Sequence, residues 1–593
     1  MNRPMNWPMN WPAGCLVALG LALTTAGCAE DPGPGDGATS VRTILIAAAQ
    51  GEVVGGTALP GGSPYGSYLA GLFAGSQRDL SMAADFMLES LAYDRENQQL
   101  LNRAFMLVAG DGRHAKAVDL ARRLTEFDSD HGLAALVLAV DAVERGVPGD
   151  AGAFLSGLPE RGLSTITVPL LQAWLRVAEG DIEAALDALE PFKEKSGFSV
   201  FHGLHTALMN DVAGREAEAR EGYEEVLRLA GQPTLRLALL AGNFFERSGA
   251  EERAREIYGE FIERNSDSLL MAAARRRLEA DGTPAPKVSN AAEGMAEALF
   301  NLASLLSKER AEEVALIYAH LALRLKPDFV IARVLLGELL QAQDRGRDSI
   351  AVYRSIADES PFSWMVGLRV AEELQRLDRT DEAINQLESL AAARPERFEP
   401  LFRLGNLMRG KERFEEAVAA YDRAIERLPT PERRHWTMFY FRGIALERLK
   451  QWPRAEADFL KALDLETEQP FVMNYLAYSW IEQKLNFDRA KGMLVRAVEL
   501  RPDDGYIVDS LGWVYYRLGE YDKGLKYLER AVELRPQDTV INDHLGDAYW
   551  RVGRRQEARF QWRRALSLDP EEDVAPKIKE KIDRGLGDLP EDT

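Results

Sequence analysis

The chain has 593 residues, 46% hydrophobic and 28% charged, a composition that folds rather than stays disordered. Acidic residues outnumber basic ones by 93 to 72, a net charge of -21. That balance excludes nucleic acid as the main partner, because phosphate binding relies on clustered Lys and Arg.

Only two cysteines occur, Cys15 and Cys28. Beyond residue 28, neither a disulfide nor a thiolate metal site is available to hold the fold. Residues 13–26, AGCLVALGLALTTA, form an apolar run shorter than the roughly 20 residues a bilayer span needs. The run has the length of a signal-peptide core, and Ala26-Gly27-Cys28 and a polar, Pro/Gly-containing stretch through Ser40 follow it. These features resemble a bacterial lipoprotein signal. The resemblance implies lipidation of Cys28 and, with Ala29 after it, an anchor in the outer membrane. Thr25 stands where that family prefers Leu, and Arg3 is the one basic residue of the leader. An ordinary secretory signal cut nearby is the alternative. Residues 1–28 are therefore assigned to the signal and lipobox, and 29–63 to a flexible tether with an apolar segment, TILIAAAQ (43–50). That segment either caps the first repeat or docks a partner.

From residue 64 the pattern is helical. Residues 64–280 read as a degenerate run of helix pairs: 64–165 have blurred spacing, such as Gly71 with Ala83, whereas Ala207 with Ala219 and Tyr223, and Gly242 with Ala254 and Tyr258, fit a repeat unit in weaker form. DGTPAPKVSN (281–290) is rich in breakers, and 281–295 reads as a linker. From 296 a 34-residue frame runs to 572. Unit 398–431 carries Leu404-Gly405, Ala417, Tyr421, Ala424 and Pro429; unit 505–538 carries Leu511-Gly512, Tyr515, Gly524, Leu528, Ala531 and Pro536. Unit 539–572 repeats the frame with Leu545-Gly546, Tyr549, Ala558, Trp562, Ala565 and Pro570. Small residues at positions 8, 20 and 27 let two antiparallel helices approach, larger ones fill the gap between units, and the proline stops the second helix. The spacing matches the tetratricopeptide-repeat signature. The expected fold is all-α, a superhelical solenoid of about 12–14 antiparallel helix pairs, with residues 573–593 supplying a capping helix and tail.

No catalytic motif stands out. Among the seven histidines, His202 and His205 share a helix face but lack a third ligand at a recognised spacing. There is no nucleophile elbow, no HExxH, no Walker loop and no Rossmann fingerprint. The chain is read as a non-enzyme that needs no cofactor or metal. What remains is surface. In such repeats positions 2, 5, 9, 12 and 13 of the first helix face the groove. They select Tyr506, Asp509, Trp513, Tyr516 and Arg517, then Val540, Asp543, Asp547, Trp550 and Arg551, a set rich in the residue types of binding hot spots. Packing between neighbouring repeats is the competing role for Trp513 and Trp550.

The phrases DSLGWVYYRLGEYDKGLKYLERAVELRP (509–536) and INDHLGDAYWRVGRRQEARFQWRRAL (541–566) resemble proteobacterial tetratricopeptide-repeat lipoproteins, a group that includes the outer-membrane partner of a periplasmic carboxyl-terminal processing protease. The resemblance implies a lipid-anchored, periplasm-facing adaptor. It would bring a carboxyl-terminal processing protease together with peptidoglycan hydrolases. The alternative is a structural component of an outer-membrane assembly or a polysaccharide-export machine.

Overall fold

A computed structural model describes residues 63–159, 161–193, 198–265, 269–279 and 282–587. The lipobox with Cys28, the tether and the apolar segment 43–50 lie outside these residues. Every regular element among the described residues is a helix, as expected. Antiparallel pairs succeed one another from Pro64–Ser76 with Leu80–Tyr93 to Thr539–Arg551 with Arg555–Leu566. None of these helices is long and apolar enough to cross a membrane.

The pairs form for local reasons. Asp504 and Asp538 cap the first helices of the last two full repeats, accepting bonds from the amides of Tyr506 and Ile507 and of Val540 and Ile541. Second helices bury one narrow stripe: Gly524, Leu528 and Ala531 in Tyr521–Leu534. First helices are buried on more sides because each touches its own partner and the next first helix. The glycine at position 8 is what lets the two helices close. A Cβ on Gly546 would lie 2.4 Å from the Trp562 ring.

The turn between the two helices of a pair carries a left-handed residue, and its recurrence exposes the repeat better than the side chains do. Positive φ occurs at Arg78, Gly112, Gly146, Gly180 and Gly214, each 34 residues from the last, and again at Arg310, Asp344, Asp378 and Glu412. Residues 64–280 therefore keep a strict repeat period at their turns through Gly214, although their contact residues are irregular. Glycine suits the position because it enters this conformation without a Cβ penalty.

The chain divides into two compact units, one within Gly51–Gln386 and one within Leu387–Thr593. This division differs from the linker at 281–295. Residues 291–295 begin the helix Ala291–Lys308, and that helix does not start a separate body. It packs on the first helices Ser164–Glu179 and Ser199–Val212, while its partner Glu312–Leu325 packs on Gln98–Gly110 and Gly132–Glu144. The pair thus lies across the first-helix face of the N-terminal repeats. Gly294 meets the fully buried Trp174, Thr167 Oγ1 sits 2.8 Å from the Tyr318 hydroxyl, and Arg345 pairs with Asp111 at 2.8 Å. The segment that would have offered the first groove is filled by its own chain.

In the second unit, the helix Ala575–Arg584 covers the last repeat as the expected cap. Ile578 is fully buried among Leu528, Trp562 and Ala565.

Candidate binding face on the C-terminal repeats

Within Leu387–Thr593, successive first helices present half-buried aromatic and charged side chains on one side. Phe402 stacks with Phe441 at 6.3 Å between centroids, and the Arg409 guanidinium lies 4.5 Å over Phe441. Tyr475 donates to Glu447 at 3.1 Å. Further along, Trp513 lies between Tyr516 and His544, stacked on the first at 4.7 Å and on the second at 3.9 Å. The Trp513 indole N–H and Arg517 Nη1 both donate to Glu482, at 2.9 and 3.0 Å.

The structure brings the sequence candidates onto this one side but spends several of them internally. Tyr506 is half-buried, with the Arg535 guanidinium 5.0 Å over its ring. Asp509 is fully buried, its carboxylate 3.0 Å from His544 Nδ1. Burial raises its pKa while His544 opposes. Burial alone would lower the His544 pKa, yet the adjacent Asp509 carboxylate holds it above its ordinary value. Asp543 and Asp547 both accept from Lys581 of the capping helix, at 2.7 and 2.9 Å, and Asp547 also accepts from the Trp562 indole at 2.9 Å. Burial and the neighbouring Asp543 push Asp547 up to about 6, with Lys581 opposing. Trp550 donates to the Leu586 carbonyl at 3.1 Å, and Arg551 reaches the Tyr516 hydroxyl and the Gly587 carbonyl. Val540 is half-buried in the first turn of its helix. The remaining accessible character is therefore the edge of Trp513 with the half-buried Tyr516 and Arg517, continued by Phe402, Arg409 and Phe441. Sequence reasoning left out Phe402, Arg409 and Glu482, although they occupy positions 5, 12 and 13 of their own units. Carrying the same frame one repeat upstream would have found Glu482, and three repeats upstream Phe402 and Arg409.

Of the two histidines singled out by spacing, His202 is half-buried and His205 has a packing role. His205 is fully buried, accepts from the Trp174 indole at 3.2 Å, and is held neutral by burial that lowers its pKa to about 3. Among the described residues no group of three or more His, Cys, Asp or Glu side chains is arranged to hold a metal ion.

Comparison with family models agrees with the repeat frame of the C-terminal helix pairs. Tetratricopeptide-repeat models match residues 368–432, 402–470, 508–538 and 541–572. A TPR repeat-containing protein of Pseudomonas aeruginosa is 25% identical over 193 residues, 32% of each chain, so the match spans about a third of that relative. Among solved structures, the Cut9–Hcn1 hetero-tetramer of the APC/C aligns with 93% of this chain and 99% of its own, at 15% identity and a TM-score of 0.35. Yeast Tom70 aligns with 88% of this chain and 94% of its own, at 13% identity and a TM-score of 0.31. The matched segments carry tetratricopeptide repeats, and repeats of this kind in an all-helical solenoid support a protein-binding scaffold.

Proposed function

We propose that this protein is a non-catalytic adaptor of the bacterial envelope, tethered to the outer membrane through Cys28, that brings a periplasmic protease to cell-wall hydrolase substrates. The observation that carries the reading is the division of labour between the two units. The first fills its own first-helix face with residues 291–325, whereas the second keeps a row of aromatic and cationic side chains on that face, from Phe402 to Arg517. Aromatic and arginine side chains on a rigid helical surface are the usual anchors of protein recognition. Support for the envelope setting comes from the lipoprotein-like leader, and support for the class of partner from the resemblance of residues 509–566.

Capture from an envelope extract with the unlipidated chain, residues 41–593, tests the role. Recovery of a serine protease or a peptidoglycan hydrolase, lost on Trp513→Ala with Arg517→Glu, is the expected result. Recovery of neither class rejects the adaptor. The anchor is tested separately by Cys28→Ser, which should release the protein from membranes; continued membrane fractionation rejects lipidation as the tether.

A further inference from the structure

The first unit holds a cavity of about 470 Å³. Its walls are the helix Leu235–Arg247, the helix Ala272–Glu279, the strap 284–287 and the opening turn of the helix Val330–Ala342. Four basic side chains line it: Arg236, Arg277, Lys287 and Lys326. Three are already neutralised. Arg236 grips the buried Glu297 with Nε and Nη2, Arg277 donates to Glu246 at 2.9 Å, and Lys326 pairs with Glu293. The Lys287 ammonium has no hydrogen-bond or ion-pair partner among the described residues. Burial and the surrounding Arg236, Arg277 and Lys326 charges push its pKa down, with Glu246 opposing. Asp328 lies on the exposed rim.

The cavity is held in shape before any ligand arrives. The buried Asn243 donates to the Ala285 carbonyl at 3.0 Å and accepts from the Lys287 amide at 3.2 Å, while Lys326 Nζ donates to the Lys287 carbonyl at 2.6 Å. Pro284 and Pro286 stiffen the same strap. The helix Val330–Ala342 starts at Phe329, which supplies no side-chain cap, and its first two residues, Val330 and Ile331, line the cavity, so the positive end of the helix dipole lies at its wall. Leu239, Ile331 and Phe362 make the remaining wall apolar. A cavity of this size with few convergent polar groups is within the range of small-ligand sites.

We propose that this cavity binds a carboxylate monoanion carried on a small apolar body. The Lys287 ammonium and the first turn of Val330–Ala342 take the carboxylate, and Leu239, Ile331 and Phe362 take the apolar part. A single unneutralised cation matches one negative charge, which favours a carboxylate over a phosphate dianion. The site is independent of the adaptor reading and lies in the other unit.

Two sources share this chemistry, a short-chain acyl acid and the free carboxyl terminus of a peptide ending in an apolar residue. Calorimetric titration of the full chain distinguishes them, with octanoate and octanamide in one arm and acetyl-Ala-Val-Leu as acid and as amide in the other. We expect one acid to bind at one-to-one stoichiometry at least about tenfold more tightly than its amide, because a charge-assisted bond is lost with the charge. Lys287→Met should weaken that acid about tenfold or more without changing the circular dichroism, Ile331→Asp should abolish binding, and Lys287→Arg should retain it. Should Lys287→Met fail to fold, the Ile331→Asp and Lys287→Arg pair decides. Equal binding of acid and amide, unchanged affinity in Lys287→Met, tighter binding of inorganic phosphate, or no binding of either acid overturns the proposal.

Discussion

Gly294→Ala is the sharpest test of the self-filled face. Gly294 sits in the first turns of the helix Ala291–Lys308, with ordinary helical geometry, so propensity alone predicts that alanine stabilises by about 1 kcal/mol. The packing predicts the reverse. A Cβ there would lie 2.3 Å from two Trp174 ring carbons, against a comfortable separation of about 3.5–4.0 Å. Trp174 cannot swing aside, because it is fully buried and its indole N–H is tied to His205. The helix itself must move, and overpacking of this kind costs about 1–3 kcal/mol. The net expectation is a loss of up to about 2 kcal/mol, felt first in Ala291–Lys308 and Ser164–Glu179. A long repeat array need not unfold in one step, so the measurement is hydrogen exchange resolved by helix rather than a single melting midpoint. Faster exchange in those two helices, with the repeats after residue 398 unchanged, is the predicted pattern. A variant that exchanges as slowly as the parent, or more slowly, would show that this helix does not rest on Trp174.

Other outcomes follow from the same contacts. Lys581→Met strips the buried Asp547 and half-buried Asp543 of their cation, and should destabilise the capping helix by about 3 kcal/mol, read as rapid exchange across Ala575–Arg584. The two units should respond to mild acid in opposite directions. In the first, burial, reinforced by the nearby Arg345 charge at His320, lowers the pKa of His205 to about 3 and of His320 to about 4. Their folded values lie below the unfolded one near 6.5, so their stabilisation is present above that pH and declines as pH falls through it. Each contributes at most about 1.4 kcal/mol per pH unit. In the second, Asp547 at about 6 lies above its unfolded value near 4, so its contribution grows as pH falls through 6 toward 4. Asp547→Asn should remove that gain, seen as a flatter exchange-versus-pH curve for the last repeat; an unchanged curve would refute the assignment. Gly146→Ala, at φ 77° with open space around it, should cost only about 1 kcal/mol by backbone strain alone.

Much of the fold was legible because the repeat signature is a packing rule. Gly546 opposite Trp562 and Gly524 in the buried stripe of its helix follow directly from helices that must approach closely. The irregular look of residues 64–280 came from following contact residues, which vary, rather than the turn glycines Gly112, Gly146, Gly180 and Gly214, which keep strict time. The docking of residues 291–325 across the N-terminal repeats was not legible, since a repeat frame specifies neighbours in sequence and says nothing of where a pair lands after a linker. The candidate face was read only in part for a similar reason. Asp509, Asp543 and Asp547 look like surface charges in the frame. Their partners His544 and Lys581 come from the following helix layer, which a single-repeat reading does not see.

The central claim is that a partner is held by the first helices of the C-terminal repeats and not by those of the N-terminal segment. Hydrogen exchange on the full chain with and without a captured partner tests it most directly. The account predicts new protection in Glu399–Gly410, Trp436–Arg448, Pro470–Glu482 and Gly505–Arg517, with Gln98–Gly110, Gly132–Glu144 and Ser164–Glu179 unaltered. Protection confined to those N-terminal helices, with residues 291–325 exchanging faster as they are displaced, would contradict it.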